Sequence, residues 1–178
     1  MKRLFIAIAL PASVNAALSG LLPPTLSDKG FRLVPSANRH VTVLFLGDTY
    51  CEDLPLLRYK LSAIAAQFVP FVLHITGIEA IVRNNVPNMI WATILPCASY
   101  SLLADLVGEV MGQEPDQEPL PHITLARIKD IAVLPKEWTK NTFPAPLALP
   151  VKRIEIWESV LDKGGAQYQN IGYFDLLG

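Results

Sequence analysis

Two short apolar runs that carry the same polar insertion constrain the fold of this chain more than any other feature. The runs His40-Val41-Thr42-Val43 and His122-Ile123-Thr124-Leu125 each place a histidine and a threonine two positions apart. Residues i and i+2 of a β-strand point to the same side, so each run presents an imidazole and a hydroxyl on one face and aliphatic side chains on the other. A half-buried strand has no structural need for such a polar pair. The pattern predicts two neighbouring strands whose polar faces line one cleft.

The third histidine of the chain, His74, also lies in a His-x-Thr sequence, but its surroundings differ. Gly77 follows its threonine at once, and no proline or asparagine turn precedes it. His40 and His122 both follow a turn and begin an alternating apolar stretch. A single His-x-Thr is a weak signal, because threonine is common in strands. We therefore predict that His40 and His122 form a pair and that His74 lies elsewhere.

Composition narrows the class of protein. With 178 residues, 51% hydrophobic and 17% charged, the chain is expected to fold over residues 1–178 as one domain, or as two small lobes that share a core. A net charge of -1 argues against binding along a nucleic-acid backbone, but it allows a ligand with one or two phosphates. Cys51 and Cys97 are isolated, which predicts a reduced, cytoplasmic location. The charged start and apolar run 4–10 imitate a signal peptide, but Pro11 interrupts the run and favours a buried first strand.

The order of predicted elements indicates an α+β fold with mainly antiparallel sheets. Helices are predicted over residues 11–22, 52–68 and 99–111, the last with Ser99 as its N-cap. Besides the two histidine strands, strands are predicted over residues 3–9, 31–34, 71–78, 89–95, 151–161 and 166–176. The proline-rich segment 134–150 is expected to be mostly irregular. Hairpins dominate this order, and one His-x-Thr strand in each half indicates an approximate internal duplication.

Two histidines and two threonines, with no acid at triad or ligand spacing, suit acid–base chemistry on a phosphate. Histidine titrates near neutrality, so one ring can accept a proton while the other donates one. Phosphoryl transfer needs the attacking and leaving oxygens in line and the charged non-bridging oxygens held between them. The hydroxyls of Thr42 and Thr124 and the guanidinium of Arg127 suit this second task. Such a site needs neither a metal nor another cofactor.

The sequence resembles a known family at several places. The segments Arg3–Ala7, His40–Gly47 and Pro121–Arg127 look like those of the two-histidine phosphoesterases. The closest branch is the RNA 2′,3′-cyclic phosphodiesterases, also called 2′-5′ RNA ligases. The resemblance spans the chain, including Trp91 and the Gly-x-x-x-Tyr from Gly164 to Tyr168. It implies two pseudo-symmetric lobes around a central cleft.

The resemblance also implies a reaction. His40 and His122 would be the catalytic pair and Thr42 and Thr124 the phosphate holders, acting without metal on RNA ends or small nucleotides that bear a 2′,3′-cyclic phosphate. The product would be a 2′-phosphate, with His40 assigned as the acid at O3′ and His122 as the base toward water. Reverse 2′-5′ ligation, or another cyclic phosphate as substrate, fits the same site. No apolar run reaches the about 18–20 residues that a membrane span needs, so we expect no membrane partner, and we expect a monomer.

The chain departs from the family pattern at two places. Leu33-Val34 stands where the family often has a tryptophan, and Gly165–Tyr168 lacks the usual proline. Phe45 and Arg127 occupy equivalent positions after the two motifs, so one can stack on a base while the other contacts phosphate. Phe45 as a core residue is equally compatible with the sequence. Tyr168 is a further candidate for holding the nucleoside.

Two other classes of protein compete with this interpretation. One is a non-catalytic binder of terminal or cyclic nucleotide phosphates, which the intact His40 and His122 argue against. The other is a zinc hydrolase that uses the histidines as ligands. The chain has no His-Glu-x-x-His motif and no carboxylate two or three residues from either histidine. The sequence therefore contains neither the usual zinc-binding motif nor a carboxylate ligand near the histidines.

Overall fold

The computed structural model describes residues 1–22, 30–83, 86–113, 120–128, 140–162 and 165–178. The strands of this part are β1 Lys2–Ala9, β2 Phe31–Leu33, β3 His40–Thr49, β4 Phe71–Arg83, β5 Val86–Ile94, β6 His122–Ile128, β7 Lys140–Val151, β8 Arg153–Asp162 and β9 Gly165–Asp175. The helices are α1 Ala12–Leu21, α2 Leu54–Ala65 and α3 Ala98–Met111. Every strand pairing among them is antiparallel, which confirms the predicted fold class.

The two His-x-Thr strands lie side by side at the centre of one sheet. The strand order is β7-β4-β5-β6-β3-β1-β8-β9, with β2 also paired to β6. Strands β3 and β6 share the register pair Val41–Ile123, and farther along β6 pairs with β2 instead. The motif strands therefore diverge beyond this point. The segments β1–α1–β2–β3 and β5–α3–β6 each lead from a strand through a helix to a motif strand, with the short β2 added in the first, and this order agrees with the duplication that the sequence indicated.

The two faces of the sheet are buried in different ways. On one face, side chains such as Ile6, Val41 and Ile123 pack in the main core with residues of the helices. On the other face, Phe5 and Ala7 form a smaller cluster with Trp157. A strand buried on both faces has a continuous apolar sequence, which is why β1 resembles a signal-peptide core in sequence. The second face stays partly open and carries the cleft.

The expectation of an irregular segment over residues 134–150 is wrong from Lys140 onward, and residues 134–139 lie outside the described part. Strand β7 is at the end of the strand order, and within the described part of the chain β4 is its one partner. Proline is tolerated there because an edge strand needs hydrogen bonds on one side only. The register shifts between Ile75–Leu147 and Gly77–Thr142. A Cβ at Gly77 would overlap the Asn141 carbonyl oxygen, so this close approach requires glycine.

Strand β4 continues to Arg83 and β5 begins at Val86, so the prediction of strands 71–78 and 89–95 made the middle hairpin too short. The other predicted boundaries agree within about three residues, apart from one cap. Helix α3 has Cys97 at its N-cap with no side-chain cap hydrogen bond, so the prediction of Ser99 as N-cap is wrong. The predicted turn at Asn84-Asn85, most of the loop 113–120 and part of the turn at 163–165 lie outside the described residues. In the part of the chain that the structure describes, no helix is long and apolar enough to cross a membrane.

Candidate active site

A cleft of about 510 Å³ opens between the two halves of the sheet. All seven residues predicted for the site line it: His40, Thr42, Phe45, His122, Thr124, Arg127 and Tyr168. His74 does not line the cleft, because it lies exposed on β4 opposite Ala148 of the edge strand. His40 and His122 therefore lie at one cleft, and His74 lies outside it.

The Val41–Ile123 register pair places the two motifs crosswise. In an antiparallel pair, the residue before one partner faces the residue after the other. His40 is therefore the cross-strand neighbour of Thr124, and His122 is the neighbour of Thr42. An approximate twofold axis passes through the Val41–Ile123 pair. A group bound above this pair meets an imidazole and a hydroxyl from each strand.

A backbone carbonyl fixes the orientation of the His40 ring. Nδ1 lies 2.7 Å from the carbonyl oxygen of Asn38, and Nε2 lies 3.1 Å from the hydroxyl of Thr42. Because a carbonyl oxygen only accepts, Nδ1–H donates to it and Nε2 is the basic nitrogen of the neutral ring. The buried Asn38 side chain in turn donates to the carbonyl of Ala166 at 3.0 Å. The turn before β3 thus sets the tautomer of His40.

His122 is held by the same relation in the other half. Its Nδ1 lies 2.9 Å from the carbonyl oxygen of Leu120, again two residues before the histidine. The same argument makes Nε2 the basic nitrogen of the neutral His122 ring. Both motif strands therefore present Nε2 for proton transfer, as a pair of acid–base groups requires.

The aromatic surroundings of the two histidines differ. The His40 ring centroid lies 4.9 Å from that of Phe5, 5.2 Å from Trp157 and 5.4 Å from Tyr168, all at tilted or edge angles. His122 instead stacks on Trp91, with centroids 3.5 Å apart and planes at 14°. Trp157 is oriented by donating its indole N–H to the carboxylate of Glu155 at 2.7 Å.

The sequence did not predict that several of these residues support the site, because their sequence context indicates only an apolar residue or a turn. Trp157 lies in an alternating strand, where its sequence context predicts a core residue. Asn38 lies in a turn that many residues could form. Tyr100 lies on the buried face of α3 and donates its hydroxyl to the carbonyl of Thr42 at 2.6 Å, and burial raises its pKa to about 12. The strand order brings Trp157 to His40, and the packing of α3 against the sheet brings Tyr100 to Thr42.

Burial disfavours the charged form of both imidazoles. It lowers the pKa of His40 to about 4, the hydrogen bond to the Asn38 carbonyl opposes this, and the nearby His122 lowers it further. Burial likewise lowers the pKa of His122, opposed by the bond to the Leu120 carbonyl. At neutral pH both rings are therefore neutral in the unliganded protein. An anion in the cleft favours the imidazolium, so protonation and phosphate binding are coupled.

Acidification should destabilise the fold through His40. Its pKa is about 4 in the folded protein and about 6.5 in the unfolded chain, so the unfolded state binds the proton more readily between these values. The stability that the neutral His40 ring contributes to the fold is fully present above pH 6.5 and is lost as the pH falls toward 4. It amounts to at most about 3 kcal/mol.

Urea unfolding of the wild type and of His40→Gln at about pH 7 and about pH 4.5 measures this contribution. The variant should lose less unfolding free energy on acidification than the wild type. Equal losses in the two proteins would contradict the prediction.

Among the described residues, no three His, Cys, Asp or Glu side chains lie close enough together to hold a metal ion. The nitrogens and hydroxyls of the cleft are suited to proton transfer and to hydrogen bonding with phosphate oxygens. Arg127 adds a positive charge at the same cleft.

Comparisons with known proteins agree with this geometry. A model of the LigT-like phosphoesterase family matches residues 8–91, which include the first motif. An RNA 2′,3′-cyclic phosphodiesterase of Archaeoglobus fulgidus is 24% identical over 97% of this chain and 99% of its own length. An RNA 2′,3′-cyclic phosphodiesterase of Thermus thermophilus is 29% identical over 99% of this chain and 91% of its own. The crystal structure of the Thermus thermophilus protein TT0787 is 31% identical, with a TM-score of 0.85 over 99% of this chain and 98% of that one. The chain belongs to the LigT-like phosphoesterases, the two-histidine phosphoesterase family.

Proposed function

We propose that this protein is a metal-independent RNA 2′,3′-cyclic phosphodiesterase that leaves a 2′-phosphate. The observation that carries the proposal is the crosswise pair of His-x-Thr motifs, with each Nδ1 bonded to the carbonyl two residues earlier. This arrangement supplies two proton-transfer groups and two hydroxyl donors in one cleft. The names of full-length relatives support the substrate. We further propose that it acts in the cytoplasm as a single domain.

In the proposed reaction, water attacks phosphorus in line with the leaving O3′. One neutral Nε2 takes a proton from the water, and the protonated Nε2 of the other histidine donates its proton to O3′. The new P–O bond forms as the P–O3′ bond breaks, and the phosphate stays on O2′. Thr42 and Thr124 donate hydrogen bonds to the non-bridging oxygens, and Arg127 offsets their negative charge. One histidine gains a proton and the other loses one, and proton exchange with solvent returns both to their starting protonation states.

The aromatic rim of the cleft supports His40 as the acid. Phe45 is 68% exposed, so it is not a core residue, and it lines the cleft on the half that carries His40. Its ring lies 5.9 Å from Phe5, and Tyr168 lies on the same side. A base stacked on this rim brings the ribose and its O3′ toward His40. Water then approaches from the opposite side, where neutral His122 acts as the base.

Turnover of an oligoribonucleotide ending in a 2′,3′-cyclic phosphate, in excess EDTA, tests the proposal. We expect multiple turnovers, unaffected by the chelator, and a product that resists a 3′-phosphatase. Binding without turnover would favour the non-catalytic alternative. Chelator-sensitive activity restored by zinc would favour the zinc hydrolase. A 3′-phosphate product, identified by phosphorus NMR, would mean that the nucleoside lies the other way round and that the two histidines exchange roles.

The pH dependence of kcat/KM should be bell-shaped with its maximum below pH 6.5. The free enzyme must hold one proton between two histidines whose pKa values are both lowered, that of His40 to about 4. The acidic limb therefore falls below the range of about pH 5 to 8 expected for unperturbed histidines. The bound anion raises both pKa values, so the kcat profile should lie at higher pH. Steady-state kinetics across the acidic and neutral pH range measures both profiles. A kcat/KM profile with one limb would contradict the prediction.

A further inference from the structure

The stack of Trp91 on His122 has an unusual geometry for two neutral rings. The ring planes are nearly parallel, at 14°, and the centroids are 3.5 Å apart, which leaves little offset between the rings. Neutral aromatic rings prefer offset or edge contacts with centroids about 4.5–7 Å apart. A positive charge over the face of an indole is instead attracted to it. The stack therefore suits a charged His122 ring better than a neutral one.

The ring of His40 has the contacts expected of a neutral ring. Its centroid lies 4.9 Å from that of Phe5 and 5.2 Å from that of Trp157, at interplanar angles of 41° and 53°. Tyr168 meets it edge-on, at 80°. These three rings are all inclined to the imidazole. Among the described residues, the face-on contact therefore belongs to one histidine of the pair.

The strand register shows that the fold does not require an indole at this position. Trp91 of β5 is the register partner of Thr124, and Ala7 of β1 is the register partner of Thr42. A register shift directly precedes Trp91 in the one pairing and Ala7 in the other. The approximate twofold axis therefore relates Trp91 to Ala7. The same place in the other half of the sheet holds a methyl group.

The hydrogen bonding of the indole also argues against a purely structural role. Nε1 of Trp91 is buried, and among the described residues it has no hydrogen-bond partner. The indole of Trp157, near the other histidine, donates to the carboxylate of Glu155 at 2.7 Å. A buried N–H without an acceptor lowers the stability of a fold. Trp91 is therefore kept at some cost to stability, as is expected of a residue that serves the site.

The other side chains of the cleft supply no negative charge to a protonated His122. The charged or titratable ones that line it are Arg3 of β1, His40 of β3, Arg127 of β6 and Tyr168 of β9, and β5 adds the uncharged Met89 and Trp91. Within the described residues, no carboxylate lines the cleft. The arginines oppose a further positive charge, and burial lowers the pKa of His122. The bond from Nδ1 to the Leu120 carbonyl and the face of Trp91 are the contacts that favour the charged ring.

We propose that Trp91 is a positioning residue that stabilises His122 as its imidazolium and so makes the two quasi-symmetric histidines unequal. This role rests on the proposed function, in which neutral His122 takes a proton from the attacking water and becomes positively charged. The charge then forms over the indole face, while the hydrogen bond to Leu120 holds the ring in place. No proton passes to or from Trp91, which acts through His122.

Titration of the imidazole signals by NMR in the unliganded protein tests this stabilisation. Trp91→Leu and Trp91→Phe replace the indole by side chains of similar size, of which phenylalanine keeps an aromatic face. The pKa of His122 should be lower in Trp91→Leu than in Trp91→Phe by about 0.5 to 1, as expected for losing a cation–π contact. Loosened packing acts in the opposite direction, because water that enters the site raises the pKa of a buried histidine. His74, exposed outside the cleft, provides a reference signal that neither variant should change.

The kinetic readout is kcat/KM on an oligoribonucleotide that ends in a 2′,3′-cyclic phosphate. Trp91→Leu should lower kcat/KM by about tenfold, because the charge on His122 grows in the transition state without its aromatic partner. Trp91→Phe should stay within about threefold of the wild type, since it keeps a ring face under the imidazole.

Equal pKa values of His122 in the two variants, or a lower value in Trp91→Phe, would overturn the inference even if the wild type is fully active. Equal kcat/KM values in the two variants would overturn it as well. If the wild type turns over no cyclic phosphate, the proposed function fails. The NMR comparison then still decides whether Trp91 stabilises the charge on His122.

Discussion

Replacing His40 or His122 by alanine should lower kcat by about 10²-fold or more in each case, because each variant loses the general acid or the general base of the proposed reaction. The double variant should be far less than multiplicatively worse, since the two groups act as one unit in the same proton transfer. Each motif strand contains a single histidine, so neither strand supplies a second imidazole. Steady-state kinetics on an oligoribonucleotide with a cyclic phosphate end measures the effect.

The third His-x-Thr sequence provides the matched control. His74→Ala makes the same substitution in the same local pattern, but at an exposed position outside the cleft. It should leave kcat and KM unchanged. Comparable losses in all three single variants would show that the pairing of His40 with His122 does not carry the chemistry.

Replacing Thr42 or Thr124 by valine should lower kcat by about 10²-fold, because in the proposed reaction each hydroxyl donates a hydrogen bond to a non-bridging oxygen of the transition state. Valine keeps the branched shape that suits the strand, so the fold should persist. The loss should appear in kcat and less in KM, since the donors act more strongly on the transition state than on the bound substrate.

Thr49→Val in the same strand is the control for this series. Thr49 lies at the end of β3, outside the cleft, with its hydroxyl 3.3 Å from the carbonyl of Gly47. It should leave kcat unchanged. Effects on KM alone in Thr42→Val and Thr124→Val would mean that the hydroxyls bind the substrate without stabilising the transition state.

The alternating pattern of the motif strands was sufficient to predict which side chains line the cleft. Residues two apart on a strand share a face whatever the rest of the fold does, so His40 and Thr42 had to point the same way. The environment of Phe45 could not be predicted in this way, because an aromatic residue just after the motif fits either the core or the rim of the cleft. Its 68% exposure in the structure excludes the core.

The proline-rich segment shows how tertiary context overrides local preference. Prolines in residues 134–150 indicated irregular chain, yet β7 begins at Lys140. Its position at the end of the strand order leaves one side without ladder hydrogen bonds, and there the missing proline amides cost little. No local pattern reports which strand will lie at the edge.

By itself the sequence determined the fold class and the side chains that share one face of each motif strand, because these follow from the period of the side chains and from local turns. The tertiary structure alone decided the crosswise register at Val41–Ile123 and the stacking of Trp91 on His122. Both depend on which distant strands pair and at what offset. That choice is made by burial of the whole sheet, and a shift of one residue would turn every polar side chain of a motif away from the cleft.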